Sequence, residues 1–390
     1  MDFNPLPFRS TLEPYQKQAE ELLEAHRAGD SRALRIFHEH HPRFLDSKIP
    51  WLPRNLPDSE IQSAALDPAD ARLAIARCYD FRDWPALADY VEAVAHDRSP
   101  VCRFESAVEA VITGDLAALE SSLRENPDLV RARSTRITHF DPPVHRATLL
   151  HYVGANGVEG YRQRTPANAV EIAKALLKAG AEVDALADMY GGHYATMSML
   201  VSSCHPANAG VQAALVETLV DFGASVEARG SAQWGSPLMT ALAFGYMPAA
   251  EALVRRGARI DNMAAAAGLG RLADAERLLA AADSESRHRA LVLAAQHGHA
   301  EIVRLLLDAG EDPNRYNPDG NHSHSTPLHQ AALAGHTAVV QLLVERGARL
   351  DIKDTIYQST PLGWAIYARQ TGIEAYLRAH GAKNTGELGT

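Results

Sequence analysis

Two groups of histidines in the sequence have residue types that suit metal binding. His38, His40 and His41 stand in the segment HEHHP. The zinc-protease pattern H-E-x-x-H would need a histidine at residue 42, which is Pro42, and a proline also ends a helix. We therefore expect a solvated helix end here and no metal site.

The second group is His322, His324 and His329 in the segment NHSHSTPLH, with Asp319 as the one nearby carboxylate. His329 also belongs to a structural pattern described below, so we expect a structural or solvated role for the group. Whether the insert at 319–324 binds a metal stays open at this point.

Nucleophilic and nucleotide-binding patterns are weak. Cys204 directly precedes His205, but adjacent side chains point in different directions and no third catalytic group is evident. Residues 268–270 begin a dinucleotide-binding pattern that lacks its third glycine and a preceding strand. No carboxylate pair stands out from ordinary helix-surface charge. These observations predict a protein that is not an enzyme and holds no cofactor and no metal.

The elements that position these residues are clearest between residues 325 and 354. Thr326 can cap a first helix, and Pro327 suits its first turn, where no backbone donor is needed. Gly335 separates this helix from a second one, and Gly347 suits a left-handed cap after it. The pattern consists of Thr326, Pro327, Leu328, His329, Ala331, Gly335 and Gly347, and its beginning recurs at Thr360, Pro361 and Leu362.

This pattern resembles the ankyrin repeat, whose T-P-L-H-x-A signature has a period near 33 residues. The resemblance implies an all-α solenoid of helix-turn-helix units with short β-hairpin loops. It also implies that His329 ties neighbouring loops together by hydrogen bonds. We expect an array of about eight units over residues 104–385, with the fifth unit shortened.

The first 96 residues predict a separate N-terminal helical segment. Residues 24–42 and 109–127 both read as helix, Gly-Asp turn, helix and proline. The segment therefore predicts ankyrin-like helix pairs, with a proline-rich loop at 43–68. It resembles the helical segment that often precedes ankyrin arrays in bacterial proteins.

Composition limits the class of partner. The formal net charge is -10, so attraction to nucleic acid or to an anionic membrane is not expected. No apolar run approaches the ~18 residues of a membrane span, and no signal peptide is evident. Three widely spaced cysteines predict no disulfide framework and a cytoplasmic location.

The expected function is protein–protein interaction by a scaffold or adaptor. The resemblance implies that a partner binds the concave groove of hairpin tips and first helices. Aromatic and arginine side chains are favoured binding anchors. Those placed in these segments are Phe140, Tyr190, Tyr194, Trp234, Tyr316 and Tyr357, with Arg136, Arg229 and Arg315.

Alternatives remain for this surface and for two long turns. Each aromatic ring can instead pack over its own hairpin, and the chain can instead be a small-molecule or metal-binding sensor or an enzyme with an unrecognised site. The turns at 158–169 and 203–210 fall in consecutive units, so we expect them to lie side by side. They either carry function or cover a flank of the array.

Overall fold

The computed structural model describes residues 4–49, 51–227 and 235–387, and this part of the chain is mostly helical. It divides into two compact units, Met1–Ala224 and Ser225–Thr390, called unit 1 and unit 2 below. The described helices are all too short or too polar to cross a membrane. The all-α repeat architecture predicted from the sequence is confirmed.

Unit 1 begins with five helices, α1 Leu12–Arg27, α2 Ser31–His40, α3 Asp58–Gln62, α4 Pro68–Cys78 and α5 Trp84–Ala95. The start of α2 is fixed by Asp30, whose carboxylate accepts hydrogen bonds from two backbone N–H groups of the first turn. Asp83 caps α5 by accepting one such hydrogen bond, from the backbone N–H of Ala86. The segment predicted as a loop at 43–68 contains α3 and a 3₁₀ turn at Pro42–Phe44, so the prediction of a continuous loop was wrong.

The rest of unit 1 contains three further helix pairs, one additional short helix and one hairpin. Its elements are α6 Pro100–Thr113, α7 Leu116–Glu125, α8 Leu149–Gly154, α9 Ala169–Lys178, β1 Leu186–Met189, β2 Gly192–Ala195, α10 Thr196–Leu200, α11 Cys204–Asn208 and α12 Gln212–Asp221. Strands β1 and β2 are antiparallel, with Leu186 opposite Ala195. Within the described ranges this is the one hairpin with paired strands, so the other predicted hairpins in these ranges are loops without a strand ladder.

The core of unit 1 contains a group of charged side chains that the sequence analysis did not identify. We call Glu105, Arg136, Glu159 and Arg162 the buried charge cluster, because each is almost fully buried. Arg162 Nη1 donates to Glu105 Oε2 at 2.5 Å, and the hydroxyl of Tyr90 donates to the same oxygen at 3.0 Å. Arg136 Nε lies 3.7 Å from Glu159 Oε1. The cluster joins the long turn at 160–162 to helices α5 and α6.

Unit 2 consists of five successive helix pairs in its described part. They are α13 Pro237–Ala243 with α14 Met247–Arg255, α15 Met263–Gly268 with α16 Leu272–Leu279, α17 Ser284–His297 with α18 Ala300–Asp308, α19 Pro327–Ala334 with α20 Thr337–Glu345, and α21 Pro361–Tyr367 with α22 Thr371–Ala379. The predicted shortened unit is the pair α15 and α16. In the next-to-last pair, Thr326 caps α19 as predicted, and Gly347 follows α20 at φ 87°.

Small apolar side chains form the core of unit 2. Ala294, Leu306, Val340 and Leu343 are all fully buried. Close approach between the helices depends on small residues, as Gly268 illustrates, because a Cβ added there would lie 3.0 Å from the side chain of Leu242. The first helices of the pairs consequently pack side by side, and their loop ends are brought into one row.

Candidate functional site

A histidine contact links helix α19 of unit 2 to the next repeat. The Nδ1 atom of His329 accepts a hydrogen bond from the backbone N–H of Thr326, and Nε2 donates to the carbonyl oxygen of Ser359 at 3.1 Å. Burial lowers the pKa of His329 to about 4, so the ring is neutral and this tautomer is the one that satisfies both partners. The contact ties α19 to the loop before α21, in the way that the resemblance implied.

The histidine-rich insert lies across the first helices. Arg289 of α17 donates to the carbonyl oxygen of Asp319 at 2.8 Å. His322 Nε2 donates to the carbonyl oxygen of Ala243, at the end of α13, at 2.9 Å. These contacts hold the insert against the first helices. The described residues contain no group of three side chains that could hold a metal ion.

The N-terminal histidines are also held by the protein. His38 Nε2 donates to the carbonyl oxygen of Arg54 at 2.6 Å. His41 is buried, and its Nε2 atom lies 3.1 Å from Asp70 Oδ1. The prediction of a solvated helix end was therefore wrong for His41, because α4 packs over it.

The predicted contact residues of unit 2 differ in whether their side chains already bond to other parts of the protein. The side chain of Tyr357 is 60% exposed. Tyr316 is also exposed, but its hydroxyl donates to the carbonyl oxygen of Lys353 at 2.7 Å. Arg315 lies 3.6 Å from Glu311 and donates to Ser284. Tyr316 and Arg315 therefore already link neighbouring loops, and Tyr357 is the more available of the predicted anchors.

The structure places the predicted contact residues of unit 1 in different environments. Phe140 and Tyr190 are exposed and line a cavity of unit 1. Tyr194 is buried, so the expectation that it projects from an exposed loop was wrong; strand β2 turns its ring into the core. Arg136 is also buried, in the charge cluster. Trp234 and Arg229 lie outside the described residues.

Hydrogen bonds join the two long turns of unit 1 near their beginnings. Asn156 Nδ2 donates to Ser202 Oγ at 2.7 Å, and Ser203 Oγ donates to the carbonyl oxygen of Ala155 at 2.8 Å. Further along the first turn, the backbone N–H of Gly160 donates to Asp80. The first turn thus packs towards α4 and α5, and the second turn forms the short helix α11.

Two exposed apolar side chains on first helices were missed from the sequence. Tyr367, the last residue of α21, is 85% exposed, and Leu333 of α19 is also exposed. They occupy the same position in successive repeats, since each is the seventh residue of a helix that begins with proline. This register was a usable signal in the sequence, because Leu333 and Tyr367 follow Pro327 and Pro361 at the same distance.

Further aromatic side chains lie around the adjacent loop and on α21. His324 lies 6.1 Å from the ring of Tyr357 and 5.7 Å from the ring of Trp364. Trp364 and Tyr367 are three residues apart on α21 and therefore share a face of that helix. We call this group the aromatic surface of unit 2. Its members are His324, Leu333, Tyr357, Trp364 and Tyr367.

The aromatic surface is held in place by buried groups beneath it. Trp364 Nε1 donates to Asp354 Oδ2 at 3.0 Å, and the same carboxylate accepts from the backbone N–H groups of Ile356, Tyr357 and Ser359. This fixes the loop that carries Tyr357 relative to α21. A rigid aromatic surface of this kind suits the recognition of another molecule rather than acid–base or nucleophilic chemistry.

A family model supports the repeat assignment. The model described as ankyrin repeats (3 copies) matches residues 207–317, 262–354 and 291–386. The matched residues include all the helices of the described part of unit 2.

Several named proteins are similar to parts of the chain. The ankyrin repeat and SAM domain-containing protein 6 of Mus musculus is 38% identical over 100 residues, which is 26% of this chain. The ankyrin repeat and KH domain-containing protein mask-1 of Caenorhabditis elegans is 29% identical over 54% of this chain. Serine/threonine-protein kinase 12 of Arabidopsis thaliana is 37% identical over 24% of this chain. The matches span 11%, 8% and 19% of these relatives' own lengths.

Proposed function

Because residues 207–386 make this chain a member of the ankyrin repeat family, we propose that unit 2 binds a partner protein through its aromatic surface and acts as a scaffold or adaptor. Ankyrin repeats generally mediate protein–protein interaction. The observation that carries the proposal is the exposure of Tyr367 and Leu333 in register on neighbouring first helices, next to the exposed Tyr357.

The chemistry of this surface favours an apolar contact. Large exposed apolar groups cost hydration free energy that burial in an interface recovers at roughly 25 cal/mol per Å². Tyrosine and tryptophan supply such area with few rotatable bonds, which is why they are enriched among interface anchors. The proposed role is binding, and we expect no catalytic activity from this surface. The bacterial origin expected from the sequence stays a prediction, since the relatives named above are eukaryotic.

Site-specific cross-linking of the full chain tests the proposal. A photoreactive phenylalanine analogue is placed at Tyr367 in one variant and at Arg304, on the exposed side of α18, in another. We expect one protein of the native host to cross-link from residue 367 and not from residue 304. Equal labelling from both positions would argue against a specific surface.

The purified partner then allows affinity to be measured. The Tyr357→Ala/Tyr367→Ala double variant should weaken binding about 10-fold or more, as expected for the loss of two aromatic anchors. The matched control Glu301→Ala/Arg304→Ala changes two exposed side chains of α18 and should leave the affinity unchanged. An unchanged affinity in the tyrosine variant, with normal circular dichroism, would rule out this surface as the binding site.

A further inference from the structure

Unit 1 contains a cavity of about 740 Å³ that no part of the proposed function uses. Its size lies within the roughly 300–1,000 Å³ that small-molecule sites occupy. Three of the large hydrophobic side chains left exposed in unit 1, Trp51, Phe140 and Tyr190, are all at its wall. Three exposed aromatic side chains are therefore gathered around one concavity.

The aromatic wall is fixed by neighbouring groups. The ring of Phe140 lies between His139 and His145, with centroid distances of 4.1 and 5.8 Å. The hydroxyl of Tyr190 donates to Asn156 Oδ1 at 2.9 Å. Tyr190 also has φ 52°, a left-handed conformation that is unfavourable for a bulky side chain. The β1–β2 turn thus holds a tyrosine at the cavity where an asparagine or glycine would be easier to accommodate.

Two polar side chains of the lining have donor or acceptor atoms without a partner. His145 is buried, and its Nδ1 atom has no hydrogen-bond partner among the described residues. Burial lowers the pKa of His145, so the ring is neutral near pH 7. The buried Nε atom of Arg77 likewise has no partner in the described ranges. Both side chains form part of the cavity wall.

The nearby acids are better satisfied than Arg77. Asp46, also at the cavity, accepts hydrogen bonds from the backbone N–H groups of Lys48 and Ile49. Asp80 accepts from the backbone N–H of Gly160 at 2.6 Å and lies 3.5 Å from His139 Nε2. Asp83, which opposes the effect of burial on the pKa of Arg77, is itself bound to Arg82.

Asp141 also lines the cavity, but its side chain is exposed to solvent. The half-buried guanidinium of Arg77 is therefore the charged group of the lining that gains most from a partner. A guanidinium presents planar donors that fit a carboxylate in two-point contact.

We propose that this cavity binds a small organic anion with a flat apolar body, an aromatic carboxylate. The carboxylate would contact Arg77 and His145, and the ring would pack against Phe140, Tyr190 and Trp51. The site lies within unit 1 and is independent of the partner surface proposed for unit 2.

Three probes of matched shape test the charge requirement on the full chain. Binding of 2-naphthoate, 2-naphthylmethanol and 2-naphthylmethylammonium is measured by isothermal titration calorimetry and by thermal shift. We expect 2-naphthoate to bind and to raise the melting temperature, since a ligand of the folded state stabilises it. The neutral probe should bind at least 10-fold more weakly, and the ammonium probe should give no signal.

Variants locate the site. Arg77→Gln should lower the affinity for 2-naphthoate about 10-fold, whereas Arg27→Gln, at the exposed end of α1, should leave it unchanged. Tyr190→Asn suits the left-handed backbone and removes the ring, so it should weaken binding several-fold without loss of melting temperature. Circular dichroism and the melting temperature of each free variant confirm that it is folded.

Several results would overturn the proposal. Equal affinity for the naphthoate and the neutral probe would make the cavity merely apolar. Stronger binding of the ammonium probe would mean that Asp46 and Asp141 dominate the field. Unchanged affinity in folded Arg77→Gln, or no binding of 2-naphthoate at millimolar concentration, would exclude this ligand class.

Discussion

Two buried carboxylates, one from each unit, are satisfied in different ways. In unit 2, Asp354 is fully buried and accepts from three backbone N–H groups within five residues and from the indole of Trp364. In unit 1, Glu105 is equally buried but depends on Arg162, which is 57 residues away in sequence. The first arrangement is local, and the second requires the long turn of one repeat to reach the helix of another.

This difference shows how far a repeat can depart from the regular pattern of a helix pair. A repeat whose polar groups are satisfied locally needs only its nearest neighbours to fold. A repeat that buries an arginine against a distant glutamate is committed to one arrangement, because an ion left alone in the interior is costly. Unit 1 carries both the charge cluster and the cavity, and its long turn at 158–169 contributes residues to both.

The largest effect is expected from breaking the charge cluster. Arg162→Ala leaves Glu105 buried without its cation, and removal of one member of a buried ion pair costs roughly 3–5 kcal/mol. We expect the free energy of unfolding, measured with urea, to fall by this amount. Hydrogen exchange should speed up most in peptides from residues 76–165.

Two further variants serve as controls for this prediction. Arg164→Ala, an exposed arginine in the same turn, should change the free energy of unfolding by less than about 0.5 kcal/mol. The double variant Arg162→Met/Glu105→Leu should regain most of the stability, since it removes both charges together. A loss as small in Arg162→Ala as in Arg164→Ala would show that the cluster is solvated.

A second test uses a histidine contact that both units share. His151 of unit 1 and His329 of unit 2 each pair Nδ1 with a capping threonine and Nε2 with a carbonyl oxygen at 3.1 Å. Burial lowers the pKa of both to about 4, below the 6.5 of an unfolded histidine. Between these values the unfolded chain binds more protons, so stability falls as the pH drops from 6.5 towards 4.

Between pH 7 and pH 5 the free energy of unfolding should fall by about 2 kcal/mol for each histidine, because a pKa difference of one unit corresponds to 1.36 kcal/mol. Urea unfolding at the two pH values measures it. His151→Gln and His329→Gln should each reduce the pH dependence by a similar amount, while His96→Gln, at an exposed position, should not. Unequal reductions would mean that the units differ in this contact as well.

The sequence predicted the parts of the fold that local signals determine. Thr326, Gly335 and Gly347 each act within one helix end, and the structure has the expected cap or turn at each of them. The shortened fifth unit was visible for the same reason. The contact made by His329 followed from the family pattern, because that pattern fixes both partners.

The sequence could not predict features that depend on distant partners. Arg162 was visible only as one basic residue in a long turn, and nothing local assigns it to Glu105. Tyr194 was expected on an exposed loop, but its exposure depends on which way β2 faces. Tyr367 lies on a helix and not on a hairpin loop, although its register with Leu333 was readable from the sequence. Arg77 and His145 meet at a cavity that only the packing of unit 1 creates.

The smallest changes in the free energy of unfolding are expected at glycines of the helix ends, where the cost of backbone conformation can be separated from the cost of packing in both units. Gly180 in unit 1 and Gly347 in unit 2 end second helices at φ 96° and 87°, and a Cβ at either would meet open space. Alanine there should therefore cost about 1 kcal/mol in each unit, from the left-handed conformation alone. Gly372 is the second residue of α22 and has open space around it, so Gly372→Ala should instead stabilise by about 0.4–1 kcal/mol through the unfolded chain. Urea unfolding of the three variants measures these values. Equal costs at Gly180 and Gly347 would mean that the two units share their repeat backbone and differ only in the side chains that the long turns bring together. A larger cost at Gly180 would mean that the helix ends of unit 1 are irregular as well.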